Sequence, residues 1–156
     1  MKINFKTLAV CILIPLAVGL LSAFFTRGNM MLFDEIVKPP LVPPAWVFPV
    51  VWSILYVLMG IASYIVYQSD APQDEIKKAL TVYAAQLVVN FFWSIIFFNL
   101  RAFLFAFYWL LLLWVLVVAT TTMFWQINKT AGMLLLPYLA WVTFAGYLTY
   151  AIFVLN

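Results

Sequence analysis

Histidine is missing from this 156-residue chain. Its absence removes a histidine general base, a Ser–His–Asp triad and histidine ligation of zinc or haem. Cysteine occurs once, at Cys11, so no internal disulfide can form and cysteine usage is silent on redox compartment. Charge is scarce: 8% of residues are charged, where soluble domains carry about 25%. The few lysines and arginines are scattered, so no basic stripe exists and no nucleic-acid partner is expected. No metal site is expected either.

What remains is apolar, at 68% of the chain. The charges fall in 1–6, 27–38 and 70–78, plus Arg101 and Lys129, which leaves the charge-free windows 7–26, 39–69, 79–100, 102–128 and 130–156. A helix needs roughly 20 mostly apolar residues to span a bilayer, and every window reaches that length. Continuous hydrophobicity, without short alternating segments, argues against a barrel. The expected fold is therefore an all-α, multi-pass integral membrane protein: a five-transmembrane-helix bundle forming one domain over 1–156. The helices are expected at about 7–25, 45–68, 79–98, 103–126 and 131–155. Thr7–Phe25 is longer than a signal-peptide core, and the bulky Leu21 spoils a cleavage site at Leu21-Ser22-Ala23, so this window is kept as the first helix. Pro15, Gly19 and Ala23 share one face of it, a spacing that lets helices approach closely, and Pro15 predicts a local kink.

The segment 26–44 is the longest loop. Pro39, Pro40, Pro43 and Pro44 keep it extended and stiff, and the apolar run Met30-Met31-Leu32-Phe33 predicts that it folds back over the helix ends as a lid. Asp74, Glu75, Lys77 and Lys78 read as a solvated turn and the frayed start of the third helix. With five spans the termini lie on opposite sides. The N-terminal side holds Lys2, Lys6, Lys77, Lys78 and Lys129, against Arg27, Lys38 and Arg101 on the other, which favours a cytoplasmic N-terminus.

Polar residues within lipid are the informative ones. Gln86, Asn90 and Ser94 form a stripe at i, i+4, i+8, flanked by Trp93 and Phe97. Such a stripe is either glue between helices or the polar anchor of a ligand pocket. Aromatics make up 19% of the chain. Trp46, Trp109 and Trp125 lie toward window ends, as interfacial belt residues do, whereas Trp52, Trp93, Trp114 and Trp141 lie deeper. Trp52 and Tyr56 are one turn apart, and Tyr138 and Trp141 share a helix face. Aromatic rings and one asparagine beneath an apolar lid suit a large, flat, mostly apolar ligand.

The run Lys38-Pro39…Pro43-Pro44-Ala45-Trp46-Val47-Phe48…Trp52-Ser53-Ile54-Leu55-Tyr56 resembles the translocator-protein family, also called the peripheral-type benzodiazepine receptor or tryptophan-rich sensory protein (TspO/MBR) family. Further similarity lies in Asn90-Phe91-Phe92-Trp93-Ser94…Phe97-Phe98, in Leu111-Leu112-Leu113-Trp114, in Ala131–Ala145 with Pro137-Tyr138…Trp141, and in the terminal Leu155-Asn156. It runs from about residue 30 to the end of the chain. The resemblance implies a five-helix bundle, usually homodimeric, that binds porphyrins such as protoporphyrin IX and benzodiazepine-type ligands between helices under the first loop. Carried over residue by residue, it implies a pocket of Trp52, Asn90 and Trp141 with Tyr56, Phe97, Tyr138 and Ala145 nearby. Phe33, Pro43, Pro44 and Phe48 would close it from the loop side.

Departures from the family pattern bear on this expectation. A loop tryptophan is here Leu41, and an aromatic pair is Leu32-Phe33. No Lys or Arg follows Tyr147 or Tyr150, so the proposed cholesterol motif is incomplete. With no histidine, protoporphyrin IX or haem would be held as a ligand by stacking and not by axial metal ligation, and no obligatory cofactor is expected. The leading expectation is a receptor or sensor for tetrapyrroles in porphyrin homeostasis or stress response. Its partners would be porphyrin-type small molecules, membrane lipid and a second copy of the chain. The rivals are light- and oxygen-dependent porphyrin breakdown, with Trp52 and Trp141 as the catalytic pair in that case alone, a porphyrin or lipid transporter, and a structural partner of another membrane protein.

Overall fold

The computed structural model describes residues 2–156; Met1, part of the expected 1–156 domain, lies outside them. The described residues contain no strand. The helices are α1 (Phe5–Thr26), a short α2 (Leu32–Glu35), α3 (Val47–Tyr67), α4 (Gln73–Ser94), α5 (Phe103–Ile127) and α6 (Lys129–Leu155). Five of the helical stretches are long and apolar enough to cross a membrane: Phe5–Asn29, Val47–Tyr67, Gln73–Asn99, Phe103–Ile127 and Lys129–Leu155.

Capping explains where several of these start. The Asn4 side chain accepts from the Thr7 amide at 3.2 Å and opens α1. The Asn128 side chain accepts from Thr130 N (2.9 Å) and Ala131 N (3.3 Å), so α6 begins at Lys129, two residues before the expected 131. The largest difference from the sequence expectation is at α4, which begins at Gln73 and not at 79. Asp74 and Glu75 are not in a solvated turn. They occupy the first helical turn, where acidic side chains oppose the positive end of the helix dipole. At its other end α4 widens into a π-helical turn, Ile95–Asn99, closed by the Leu100 amide on the Ile95 carbonyl at 3.1 Å. Such a turn inserts a residue and re-aims the side chains beyond it.

The spanning helices pack in the order α1–α3–α6–α5–α4 and back to α1, which differs from chain order. One buried cluster runs through the centre, from Leu55, Met59 and Val66 on α3 to Leu87 on α4, Val117 on α5 and Val142 on α6. The outward faces carry large apolar side chains such as Leu13, Leu20, Phe105, Val115 and Val154, as surfaces facing acyl chains require. Thr120, Thr121 and Thr122 return their hydroxyls to the carbonyls of Leu116, Val117 and Val118 (2.7, 2.7 and 2.9 Å), so none is left unpaired in lipid.

The face of α1 that meets the bundle carries Pro15, Gly19, Ser22 and Thr26. Ala23, expected on it, is exposed and Ser22 takes its place. Pro15 cannot donate to the Cys11 carbonyl one turn earlier. A Cβ placed on Gly60 of α3 would lie 2.7 Å from that carbonyl oxygen and 2.5 Å from Ile12 Cα. The two helices therefore touch backbone to backbone where the proline leaves an acceptor free, and only glycine fits. Gly60→Ala should lower stability by about 1–3 kcal/mol through overpacking against an unyielding backbone. Gly28→Ala, with nothing within 4 Å of the added methyl, should be near neutral. Denaturant or thermal unfolding in detergent checks the pair.

Candidate functional site

The polar stripe of α4 turns inward between α3 and α6. Asn90 accepts from the Tyr56 hydroxyl at 3.2 Å and donates to the Tyr138 hydroxyl at 2.8 Å. Tyr138 in turn donates to Gln86 Oε1 at 2.5 Å, and the Gln86 amide points at the Met59 sulfur, 3.9 Å away. Because Tyr138 spends its only proton on Gln86, it must accept from Asn90, which fixes the orientation of the Asn90 amide. Tyr56, Gln86, Asn90 and Tyr138 are all buried, Tyr138 to 1% exposure. Ser94, the third member of the stripe, has no part in this chain. The stripe thus joins helices, and Asn90 still keeps one N–H and one lone pair beyond the two bonds it makes.

An aromatic assembly lies above this chain on the lid side. Trp52 stacks on Tyr56 (5.6 Å, 28°) and meets Tyr138 edge-on at 6.2 Å. Phe48 bridges the lid residue Phe33 (5.4 Å) and Trp141 (5.8 Å). Ala145, one turn beyond Trp141, packs at the margin of the same cluster. Clefts of about 420 Å3 and 440 Å3 lie elsewhere, one on the outer face of α5 and α6 and one beside Arg101 and Phe153. Three buried polar atoms lack a hydrogen-bond partner among the described residues: the indole nitrogens of Trp93 and Trp141 and the Tyr83 hydroxyl.

Not every expected residue joins this group. Phe97 is buried, but in a second cluster with Leu32, Ile36, Ile96 and Ile152, stacked on Trp93 at 5.1 Å. It holds the lid down. Pro43 is half-buried and Pro44 exposed, and the Pro44 carbonyl accepts the Val47 amide at 3.0 Å, so Pro44 serves the start of α3. Trp109 differs from a belt residue: it is half-buried and its indole donates to the Val89 carbonyl at 2.7 Å.

The segment 26–44 folds back on the helix ends, as its apolar run predicts. Beyond Leu32 and Ile36, it is fastened by polar contacts that no sequence pattern announced. Val37 donates to Asn156 Oδ1 and accepts from Asn156 Nδ2, both at 3.0 Å. Arg101 pairs with Glu35 at 3.0 Å, both half-exposed and so of small energetic weight. Asn99, delivered by the π-turn, binds Asn29 (2.7 Å) and the Phe25 carbonyl (3.0 Å). Tyr147 donates to the Pro40 carbonyl at 2.8 Å.

The sequence pattern of the TspO/MBR family matches residues 11–155. The chain is 39% identical to the tryptophan-rich protein TspO of Chlorobaculum tepidum over 151 residues, covering 96% of each chain. It is 37% identical to the tryptophan-rich protein TspO of Archaeoglobus fulgidus, over 98% of this chain and 99% of that one. It is also 37% identical to the translocator protein of Bos taurus, over 88% of this chain and 83% of that one.

Two measurements test this architecture. Tyr138→Phe strands the Asn90 amide and the Gln86 carbonyl oxygen, and should cost about 1–2 kcal/mol in unfolding experiments. Asn156→Ala removes both bonds to Val37, and hydrogen exchange at the Val37 amide should speed up by about tenfold, the equivalent of ~1.4 kcal/mol. Exchange at amides in the middle of α6 should stay unchanged.

Proposed function

The chain belongs to the TspO/MBR family, and from that premise we propose that it is a membrane receptor or sensor for flat, aromatic, mostly apolar molecules. Tetrapyrroles such as protoporphyrin IX and benzodiazepine-type compounds are the ligand class, and porphyrin homeostasis or stress response is the setting. The observation that carries this reading is the indole N–H of Trp141, which is buried without a partner inside an assembly of ring faces. A buried donor left unpaired is costly. An acceptor on a bound ligand would relieve it. Phe33, Phe48 and Trp141 meet through ring contacts, as Trp52 meets Tyr56 and Tyr138, so a flat ligand can exchange ring–ring contact for ring–ligand contact at little net loss. Beneath them the hydrogen-bonded chain through Asn90 forms a rigid floor with one spare donor and one spare acceptor.

On this reading Trp52 and Trp141 contact the ligand plane, Asn90 orients it, and the segment 26–44 controls access. The chain works as a homodimer with its N-terminus on the cytoplasmic side, where the greater number of lysines lies. Porphyrin fluorescence quenching in purified protein tests the site. Trp52→Ala and Trp141→Ala should each weaken binding by about tenfold, or ~1.4 kcal/mol, the scale of one aromatic contact. Asn90→Ala should weaken it by a similar factor. Unchanged affinity in all three variants would overturn the assignment.

A further inference from the structure

The lid reaches below the level of the charged residues on its side of the membrane. Arg101 lines a cleft with Phe153 and Asn156, which places the charged level near the end of α6. Lys129, at the start of α6, marks the opposite level. From Lys129 to Phe153 the helix rises about 36 Å, enough to enclose a hydrocarbon layer of roughly 30 Å. Tyr147 lies about 9 Å below Phe153 on the same helix. Its ring leans lower still, because helical side chains tilt toward the N-terminus. Yet its hydroxyl holds the Pro40 carbonyl at 2.8 Å. The chain therefore descends from Val37, beside Asn156, to a turn at the edge of the hydrocarbon layer.

That turn faces outward. Tyr147 is itself exposed, and with Phe107, Trp114 and Tyr150 it lines the apolar cleft on the outer surface of α5 and α6. Leu41, next to Pro40, is 81% exposed, more than any other large apolar side chain among the described residues. Its φ of 70° is a left-handed conformation that costs a leucine free energy. In water an exposed leucine offers nothing against that cost, whereas transfer to hydrocarbon exceeds it. Trp46, also exposed, follows as an interfacial aromatic. The turn is thus continuous with the lipid-facing belt of α6.

We propose that the Pro40–Leu41 turn is inserted into the bilayer, with Leu41 among the acyl chains beside Tyr147, so that the lid is seated on lipid and not in water. In a Cys11→Ser background, nitroxide labels at Leu41→Cys, Val115→Cys on the outer face of α5 and Gln73→Cys at the aqueous start of α4 are compared in liposomes. The readout is collision with oxygen against collision with a water-soluble nickel chelate. The oxygen-to-nickel ratio at Leu41 should fall within about twofold of that at Val115 and several-fold above that at Gln73. A ratio equal to that at Gln73 would overturn the proposal. So would low access to both reagents with spin–spin broadening, since a second copy of the chain would then cover the turn. The unsubstituted chain offers an independent measurement with phospholipid carrying a photoreactive group on its acyl chain. Adducts on the 39–42 segment support insertion, and adducts confined to the spanning helices refute it.

Discussion

A polar group inside a bilayer has only protein to bond with, and that constraint organises the molecule. Tyr56, Gln86, Asn90 and Tyr138 come from three helices, of which α3 and α6 are neighbours in packing order and α4 lies across the bundle. Apolar faces cannot choose among rotations of a helix in lipid, because lipid is as apolar as the neighbouring helix. The hydrogen-bond chain can, since rotating α3, α4 or α6 would strand an amide or a hydroxyl. It therefore sets the facing of the helices on which Trp52 and Trp141 are displayed. Gly19 and Gly60 then let α1 close against α3, with the Tyr56 ring 2.5 Å from where a Gly19 methyl would stand.

Much of this was legible in the sequence. The charge-free windows mark five spans, and the i, i+4 spacing of Gln86 and Asn90 marks a polar face that needs partners inside the bundle. The start of α4 was not legible, because Asp74, Glu75, Lys77 and Lys78 look alike in a solvated turn and in the first turns of a helix. Their energetic difference lies in a dipole that exists only once the helix has formed. Phe97 was harder still. Its place follows from the π-turn at Ile95–Asn99, whose extra residue shifts the helical phase, and no composition signal marks that turn. The partners of Asn99 and Asn156 were invisible for a related reason: each joins segments far apart in the chain, and one asparagine among apolar neighbours does not say what it meets.

The site and its lid differ in physical kind. The floor is directional, built of hydrogen bonds whose donors and acceptors match. The roof is a set of ring contacts between Phe33, Phe48 and Trp141, which tolerate sliding. The lid combines both, with Leu32 and Ile36 buried in a satellite cluster and its backbone held by side-chain amides at the end of α6. The segment is thus held at discrete points, over contacts that have no fixed register.

The bond pair between Val37 and Asn156 spans 119 positions of sequence. A ribosome adds about 5–20 residues per second, so Val37 waits on the order of 6–24 s for its partner. During that interval the lid meets its other partners in turn, Phe48 first, then Asn99 and Arg101, then Tyr147. The lid is therefore fastened progressively, and its Val37 bonds close last, when the final turn of α6 arrives. The order in which the lid is secured is thus written into the chain, from Phe48 through the π-turn to the final turn of α6.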